Sequence, residues 1–513
     1  MDRSLLAARI QEILRNRSKP AAPGPVHPGG ASPSGSGGAG LQPWSVGDEE
    51  AAFAARCAAD EAAADAREVL GGETIDGPGG RCLVVERRYA AWHVHGRQAV
   101  GRYADAMAGA MHALPWFLRG GAESDVSRLL FFDLETTGLS GGAGTYAFLV
   151  GCGYFDGSDF VTRQFFLRGY GEERALLGAV RDFVEAPRPE WDGPGGGRQS
   201  SSSPKPGEGG QPCLVTYNGR AFDLPLIEIR YQLHRSASPL ASLPHVDMLF
   251  PARRLWRHRA TRDGSPMPAD PDRGAPTASR DPRASCALTA LEQDILRLER
   301  NDDVPGWEIP ARYFAYARTG DARGLVAVME HNRLDLLSLA AVTSIVLEQV
   351  VEQDRLVRDR PGCLALARLL EHLGRGEDAE RCYRKAAMPD GPVEGEHDLL
   401  ARAEALHWLA VSRRRARRFG DAAEAWRSLL QIPGLGADLR REACEALAIH
   451  HEHRARDLQA AKAFAMDALE CSRGGRYVPD VEHRLDRLAR KMGGEARRPG
   501  EPGRHPAVWP ADE

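Results

Sequence analysis

Residues 131–151 read FFDLETTGLSGGAGTYAFLVG, and this stretch decides the fold. It joins two segments, 127–134 and 145–155, that are short, apolar and rich in aromatic and β-branched residues, as β-strands are. A third segment of this kind follows at 160–167 after a turn-length gap. The three segments therefore predict a meander of neighbouring strands.

Beyond the meander, helical and strand patterns alternate along the chain. Helices are predicted at 171–185 and from about Phe222 to Leu233, with an apolar strand at 213–217 between them and a long helix around 324–350. Three meandering strands followed by this alternation predict an α/β fold with a sheet of mixed direction.

After Pro361 the pattern becomes entirely helical, and three similar segments begin at Leu373, Arg418 and Arg456. Aligning Ala379, Ala422 and Ala460 spaces them by 43 and 38 residues, near the period of about 34 residues of a helix-pair repeat. The segments resemble tetratricopeptide repeats, and the resemblance implies an all-α repeat domain that recruits a protein partner. A generic helical bundle is the alternative.

The 513 residues include 67 Lys and Arg against 71 Asp and Glu, for a formal charge of −4. This balance gives no argument for a nucleic-acid coat protein, so contacts with nucleic acid have to come from local basic patches. Nine cysteines without a CxxC pair fit neither a disulfide framework nor a zinc ribbon. No run of about 18 uncharged apolar residues and no signal-peptide core is found, so we expect a soluble cytoplasmic protein that binds no membrane.

Stretches rich in Pro, Gly and Ser divide the chain, because such segments cannot bury enough apolar surface to fold. From them we predict an amphipathic helix at 1–17, a disordered linker at 18–47, an N-terminal extension that packs on the next domain at 48–126, an α/β domain at 127–350 with flexible loops at 193–211 and 258–284, helical repeats at 361–492 and a disordered tail at 493–513.

Two carboxylates end the first strand of the meander. Asp133 and Glu135 are two residues apart, so on a strand their side chains point to the same face. Close carboxylates disfavour each other's charged form unless a cation lies between them, which makes the pair a candidate metal site. A strand that simply ends in solvent at polar residues is the alternative.

A second group of polar residues lies between the fourth strand and the next helix. Asp223 falls in the first turn of that helix, where the helix dipole also favours a carboxylate without any metal. Asn218 ends the strand, where it can cap the helix or bind substrate. Asp247, in the following PHVDML segment, is a candidate acid near the same site.

The third group lies on the long predicted helix. His331 and Asp335 are four residues apart and therefore share one helical face. Because the helix is apolar nearly all round, Asp335 needs either a partner cation or a metal, and a salt bridge is the alternative to the metal.

Together these acids resemble the DEDD exonuclease superfamily of the ribonuclease H-like fold. The resemblance implies that Asp133, Glu135, Asp223 and Asp335 hold two Mg²⁺ or Mn²⁺ ions. Superfamily enzymes commonly carry a general base on the last helix, either His five residues before the final Asp or Tyr four residues before it. His331 has the residue of the first type at the position of the second, so it is either the general base or a helix-face histidine.

A closer resemblance is to the YprB-type ribonuclease H-like family, and it covers about residues 72 to 350. It implies a ribonuclease H-like mixed sheet flanked by helices. The motifs that carry it are GRCLVVERRY, the HxHG of His93 to Gly96, FFDLETTGLSGGAGTYAFLVG, TYNGRAFDLPL, PHVDMLFPARRLWRHR, CALTALE, DVPGWEIPARYF and HNRLDLLSLA. His93 and His95 are either metal ligands or hydrogen-bonded core residues.

Nucleic-acid contacts are predicted where basic and aromatic residues cluster, since guanidinium groups bind phosphates and an indole stacks on a base. The predicted contacts are Thr136, Asn218, Arg253, Arg254, Trp256 and Arg257. A solvated helix face is the alternative for the basic run.

The leading functional prediction is a metal-dependent nuclease, a 3′→5′ exonuclease that acts on single-stranded ends of DNA or RNA. The alternative is an adaptor that binds nucleic acid or protein without cutting it.

Overall fold

A computed structural model describes residues 66–77, 79–118, 126–138, 144–186, 211–260, 286–301, 303–353, 356–388, 395–471 and 478–495. The predicted N-terminal helix at 1–17 and the linker at 18–47 lie outside these residues. So do most of the predicted loops and tail, although Gln211 already belongs to a strand, residues 258–260 end a helix, and residues 493–495 end the last described helix.

A sheet of seven strands forms the centre of the protein, in the order β1-β2-β7-β6-β5-β8-β9. β5, β6 and β7 form the antiparallel meander, and β8 and β9 add to β5 in parallel. The nine strands of the described residues are β1 Glu73–Gly77, β2 Gly80–Tyr89, β3 Val94–His95, β4 Gln98–Ala99, β5 Val126–Thr136, β6 Ala147–Asp156, β7 Asp159–Phe166, β8 Gln211–Thr216 and β9 His245–Asp247, of which β3 and β4 form a separate hairpin.

The mixed sheet predicted from the sequence is confirmed, and β1, β2 and β9 extend it at both edges. β2 pairs along Leu83–Tyr89 with β7, so the N-terminal extension contributes strands to the sheet besides packing on it. β9 was not predicted because three residues are too few to show a strand period.

Alternate residues of β5 face opposite sides of the sheet. Leu129 and Phe131 belong to one hydrophobic cluster, whereas Leu130 and Phe132 belong to the other. Asp133 continues the first series, so its side chain leaves the sheet on the Leu129 side.

Helices cover both faces of the sheet and continue to the end of the described chain. They are α1 Val100–Ala110, α2 Glu173–Glu185, α3 Asp223–Leu233, α4 Leu249–Ala260, α5 Leu288–Leu291, α6 Ile309–Thr319, α7 Val326–Glu352, α8 Arg360–His372, α9 Gly376–Ala387, α10 Glu396–Arg415, α11 Phe419–Leu430, α12 Ala437–His450, α13 Leu458–Cys471 and α14 Val478–Glu495.

The predicted long helix is α7, and it packs on the sheet. The segment Ala322–Glu352 is long and apolar enough to cross a membrane, but 67% of its most apolar stretch is buried inside the protein. The core helix of a globular protein has the same composition, so the segment is weak evidence for a membrane span.

The C-terminal region is helical, as predicted. Ala379 and Ala422 are buried at the fourth positions of α9 and α11. The fourth position of α13 is the buried Ala461, so the predicted match to Ala460 is one residue out of register. That these helices are tetratricopeptide repeats stays a prediction.

One hydrophobic cluster joins the sheet to the C-terminal helices. It runs from Phe131 on β5 through Leu336 on α7 to Leu366 on α8 and Trp426 on α11. The predicted α/β and helical regions therefore share a core across their predicted boundary.

Candidate active site

The site begins at the end of β5. Asp133 and Glu135 lie there, and a register shift against β6 falls between Glu135 and Thr136. Such an irregularity bends a strand and redirects its side chains. Thr136 follows directly, and its hydroxyl donates to the carbonyl of Gly138 at 3.0 Å.

A buried chain of amides holds the Asp133 carboxylate. Asn332 on α7 donates from Nδ2 to Asp133 Oδ2 at 2.7 Å, and Gln164 on β7 donates from Nε2 to Asn332 Oδ1 at 2.9 Å. Both amide side chains are fully buried. Gly151 on β6 makes the approach possible, because a Cβ there would lie 2.8 Å from Asn332 Cγ. The motif spacing predicted Asp133 but not these supporting residues.

The loop between β8 and α3 carries Asp223 into the same site. Asn218 adopts a left-handed conformation at φ 65°, which Asn tolerates better than most residues. Asp247 accepts hydrogen bonds from the backbone amides of Asn218 at 2.8 Å and Arg220 at 3.1 Å. Asp247 therefore shapes the loop that holds Asp223, consistent with its predicted position near the site.

The capping role considered for Asn218 is wrong. Helix α3 begins at Asp223 and its N-cap position is Phe222, which makes no side-chain capping bond. Asn218 lies four residues earlier, where its strained backbone starts the turn instead.

The salt-bridge alternative for Asp335 is present in the structure. Arg300 forms ion pairs with Asp335, with Glu292 at 2.5 Å and with Asp303 at 3.1 Å. The Arg300 side chain is only 6% exposed and that of Glu292 only 1%, so Glu292 anchors the guanidinium from the protein interior. Arg300 thus brings a positive charge to the edge of the acidic site.

His331 lies beside Asp335 and is held by Asp303. Its Nδ1 is 2.7 Å from Asp303 Oδ1, and its Nε2 is 3.7 Å from Asp335 Oδ2. Although burial alone would raise the pKa of Asp303, the His331 and Arg300 contacts hold it below its usual value. An ionised carboxylate only accepts hydrogen bonds, so Nδ1 of His331 is assigned as the donor.

All four acids line one cavity of about 280 Å³, together with Thr136 and His331. Burial, followed by the charges of neighbouring acids, raises the pKa values of Asp133 and Glu135 well above the usual range. Burial also raises the pKa of Asp223 to about 7, with Asp247 and Asp335 adding to the shift. Each acid therefore disfavours the ionised form of its neighbours.

This set of donors fits a divalent cation. Mg²⁺ and Mn²⁺ prefer carboxylate oxygens, and a cation among them removes the repulsion that raises their pKa values. The guanidinium of Arg300 already acts as a cation toward Asp335. Within the described residues, however, no group of three or more acids, His or Cys is gathered closely enough to form a complete metal site.

The predicted basic run lies on α4, and its residues point in different directions. Arg253 and Arg257 are exposed, and Arg254 lies over the Phe250 ring at 3.8 Å from its centroid. Trp256 is 4% exposed and packs in the core, so its predicted role as a stacking platform is wrong.

The two histidines of the HxHG motif lie away from the acids. His95 is 2% exposed and its Nε2 is 2.8 Å from the hydroxyl of Ser338 on α7. Burial lowers the pKa of His95 to about 4, so it is neutral and belongs to the hydrogen-bonded core. The ring of His93 packs against Tyr89 with centroids 4.9 Å apart.

Comparison with known proteins shows what the α/β region is similar to. Residues 130–347 match the family model of the RNase H superfamily. The mixed sheet flanked by helices has a ribonuclease H-like fold. The first matched residues lie on β5 and the last on α7, so the match includes all four acids of the cavity.

A curated relative extends the similarity beyond this domain. The chain is 25% identical over 420 residues to the uncharacterized protein YprB of Bacillus subtilis (strain 168), covering 80% of this chain and 86% of the relative. The domain match ends at residue 347. An alignment that covers 80% of the 513 residues cannot fit before that point, so it includes part of the C-terminal helices.

Proposed function

We propose that this protein is a divalent-metal-dependent nuclease that removes nucleotides from single-stranded 3′ ends. The observation that carries the proposal is the convergence of Asp133, Glu135, Asp223 and Asp335 on one cavity of a ribonuclease H-like domain. The pKa values of Asp133, Glu135 and Asp223 are raised, which indicates that bound cations would stabilise the ionised carboxylates.

The four acids would hold two Mg²⁺ or Mn²⁺ ions. Such ions lower the pKa of an attacking water and stabilise charge on a leaving oxygen. The chain itself keeps the ligands in position: Asn332 holds Asp133 through its hydrogen bond, and Arg300 holds Asp335. Thr136, at the end of β5, lines the same cavity and supplies a hydroxyl near the substrate.

His331 is the candidate general base. With Nδ1 donating to Asp303, the other ring nitrogen, Nε2, faces Asp335 and the cavity. A histidine that a carboxylate orients at one ring nitrogen can accept a proton at the other. The Asp303–His331 pair would thus take the role of base and orienting acid.

Two exposed aromatic side chains suit a single-stranded end. Phe222 lines the cavity and is 59% exposed, and Trp307 is 78% exposed next to the lining residue Gly306. Bases freed from a duplex stack on such rings, whereas paired bases cannot reach them. This arrangement favours an unpaired terminal nucleotide over an intact duplex.

The test uses the purified full chain with DNA and RNA oligonucleotides labelled at the 5′ end, with Mn²⁺ or with EDTA. We expect a Mn²⁺-dependent ladder of shortened products that Asp133→Asn abolishes. Asp182→Asn, which changes an exposed carboxylate on α2, is the matched control and should leave the ladder intact. Intact substrate in every lane with folded protein would contradict a nuclease.

An adaptor that binds nucleic acid without cutting it is the second candidate. The ion pair between Arg300 and Asp335 favours this candidate, because a carboxylate that is paired with a guanidinium is less available to bind a metal. Salt-sensitive binding of single strands without any turnover, unchanged by Mn²⁺, would support this candidate.

A further inference from the structure

A second and larger cavity lies beside the carboxylate site. We call it the Phe250 groove; its volume is about 650 Å³, within the range of about 300–1,000 Å³ typical of ligand pockets. Four parts of the chain form its walls: the short 3-10 helix that contains Trp116, the β8–α3 loop, the segment from β9 into the start of α4, and the α8–α9 turn with His372 and Leu373. The C-terminal helices thus contribute directly to this groove.

The groove and the carboxylate cavity share one loop. Arg220 and Ala221 line the groove, and the next two residues, Phe222 and Asp223, line the cavity. Consecutive Cα atoms are about 3.8 Å apart, so the groove lining ends one residue before the cavity lining begins and two residues before Asp223. A chain bound at the cavity can continue into the groove without leaving the protein surface.

The groove combines an exposed ring with guanidinium groups. Phe250 is 45% exposed, and Arg254 covers one face of its ring while His372 packs at 4.8 Å between centroids. These contacts hold the ring in place and leave part of it open to solvent. A ring held in this way can stack on a base of any sequence.

Positive charge in the groove is available to a ligand. Among the residues that the structure describes, Arg220 and Arg253 form no ion pair with a carboxylate. The acid of the groove, Asp247, accepts three backbone amides, from Asn218, Arg220 and Leu249, which offset its charge. An anion that also carries aromatic rings matches this lining better than an apolar peptide does.

From these observations we propose that the Phe250 groove binds the single-stranded nucleic acid adjoining the nucleotide at the carboxylate cavity. Phe250 stacks on a base and Arg253 and Arg220 bind phosphates, while the α8–α9 turn closes the groove from the helical region. The proposal rests on the proposed function, since it assigns the groove to the same substrate. It also assigns the C-terminal helices a role in substrate binding, in addition to the binding of a protein partner predicted from the sequence.

The test measures binding of fluorescent single strands to the full chain by anisotropy, in EDTA so that no turnover occurs. The variants are Phe250→Ala and Arg253→Ala, with Trp92→Ala and Arg102→Ala as matched controls at exposed positions outside both cavities. The ligands are a dinucleotide and a strand of about 12 nucleotides, since only the longer one can fill both sites. Thermal denaturation of each variant verifies that it is folded.

We expect each groove variant to weaken binding of the longer strand by about 10-fold, as loss of one stacked base or one phosphate contact would. Binding of the dinucleotide should not change. Arg253→Ala should also reduce the slope of log affinity against log salt by about 0.7, the value for one phosphate of a single strand. The controls should match the unchanged protein.

Failure of the groove and failure of the proposed function give different results. If the unchanged protein degrades strands with Mn²⁺ but both groove variants bind the longer strand normally with the same salt slope, the groove assignment is overturned alone. If the unchanged protein neither binds nor degrades any strand, the proposed function fails and the groove assignment fails with it. Crosslinking of an iodouracil-containing strand to Phe250 or Trp116 would independently support the assignment.

Discussion

Arg300 and Asp335 form an ion pair at the edge of the carboxylate cavity, although 35 residues separate them in sequence. Glu292, with a side chain only 1% exposed, accepts hydrogen bonds from the same nitrogen, Nη2, at 2.5 Å and from Nε at 2.7 Å. Arg300 therefore links a deeply buried acid to one of the four acids proposed to bind metal.

Removal of Arg300 should destabilise the protein. Arg300→Met leaves the Glu292 charge buried without its partner, which typically costs about 3–5 kcal/mol of unfolding free energy. Urea denaturation monitored by circular dichroism measures the loss. The double variant Arg300→Met with Glu292→Gln should lose less than the sum of the two single variants, because it leaves no buried charge. Additive losses would contradict the coupling.

Gly151→Ala should disturb the support of Asp133. The added Cβ would lie 2.8 Å from Asn332 Cγ, and the buried Asn332 has little room to move. We expect a loss of about 1–3 kcal/mol in unfolding free energy, as overpacking in a core causes, together with reduced Mn²⁺-dependent degradation. Gly178→Ala on α2 is the control, since a Cβ there meets nothing within 4 Å. Equal stability of the two variants would argue against the close approach.

Cations should stabilise the protein more at alkaline than at acidic pH. The unfolded carboxyls ionise near pH 4, whereas the folded pKa of Asp223 is about 7 and those of Asp133 and Glu135 are raised. The folded state thus binds more protons, so the unfolding free energy contributed by these groups falls as pH rises above about 4. For Asp223 this fall extends to about pH 7, and Asp133 and Glu135 act in the same direction. A cation among the acids relieves more repulsion as more of them ionise.

Thermal denaturation with and without Mn²⁺ at about pH 5.5 and about pH 8 measures this difference. We expect the larger increase in melting temperature at the higher pH, and we expect Asp223→Asn to reduce the difference between the two. An increase that is the same at both pH values would mean that these three acids do not bind the ion.

His331→Gln should slow degradation by about 100-fold, the usual contribution of a general base, without abolishing Mn²⁺ binding. Asp303→Asn should have a smaller effect on the rate and should change its dependence on pH. The side chain that lies 2.7 Å from His331 Nδ1 would then be a neutral amide instead of a carboxylate. Single-turnover rates measured across pH test both variants. His93→Gln is the control, since His93 does not line the cavity, and a loss there equal to that of His331→Gln would contradict the assignment.

The sequence predicted the central sheet because β5, β6 and β7 are long apolar runs with clear boundaries. It predicted the four acids because each follows a recognisable element end or helix period. Asn332 and Arg300 were missed because their partners are distant along the chain: 199 residues separate Asn332 from Asp133. Pairings over such distances depend on tertiary structure. The DVPGW and HNRLD motifs contain Asp303 and Asn332, but a motif does not reveal which distant side chain each residue contacts.

The error at Trp256 has a local cause that the sequence did contain. Ala252, Leu255 and Trp256 follow the spacing of a buried helix face, and Arg253 and Arg257 follow the exposed one. Basic and aromatic residues that are neighbours in the sequence therefore lie on different faces of α4. The helical period separates the residues available to a ligand from those in the core.

The hydrophobic cluster that extends from Phe131 to Trp426 makes the two regions one cooperative unit. A chain cut before α8 would expose the apolar face that α7 and α4 present to Leu366 and its neighbours, and would be prone to aggregate. Loss of either region therefore removes packing support from the other, and we expect that the α/β region does not fold as an independent module. We therefore expect the two regions to unfold in a single transition.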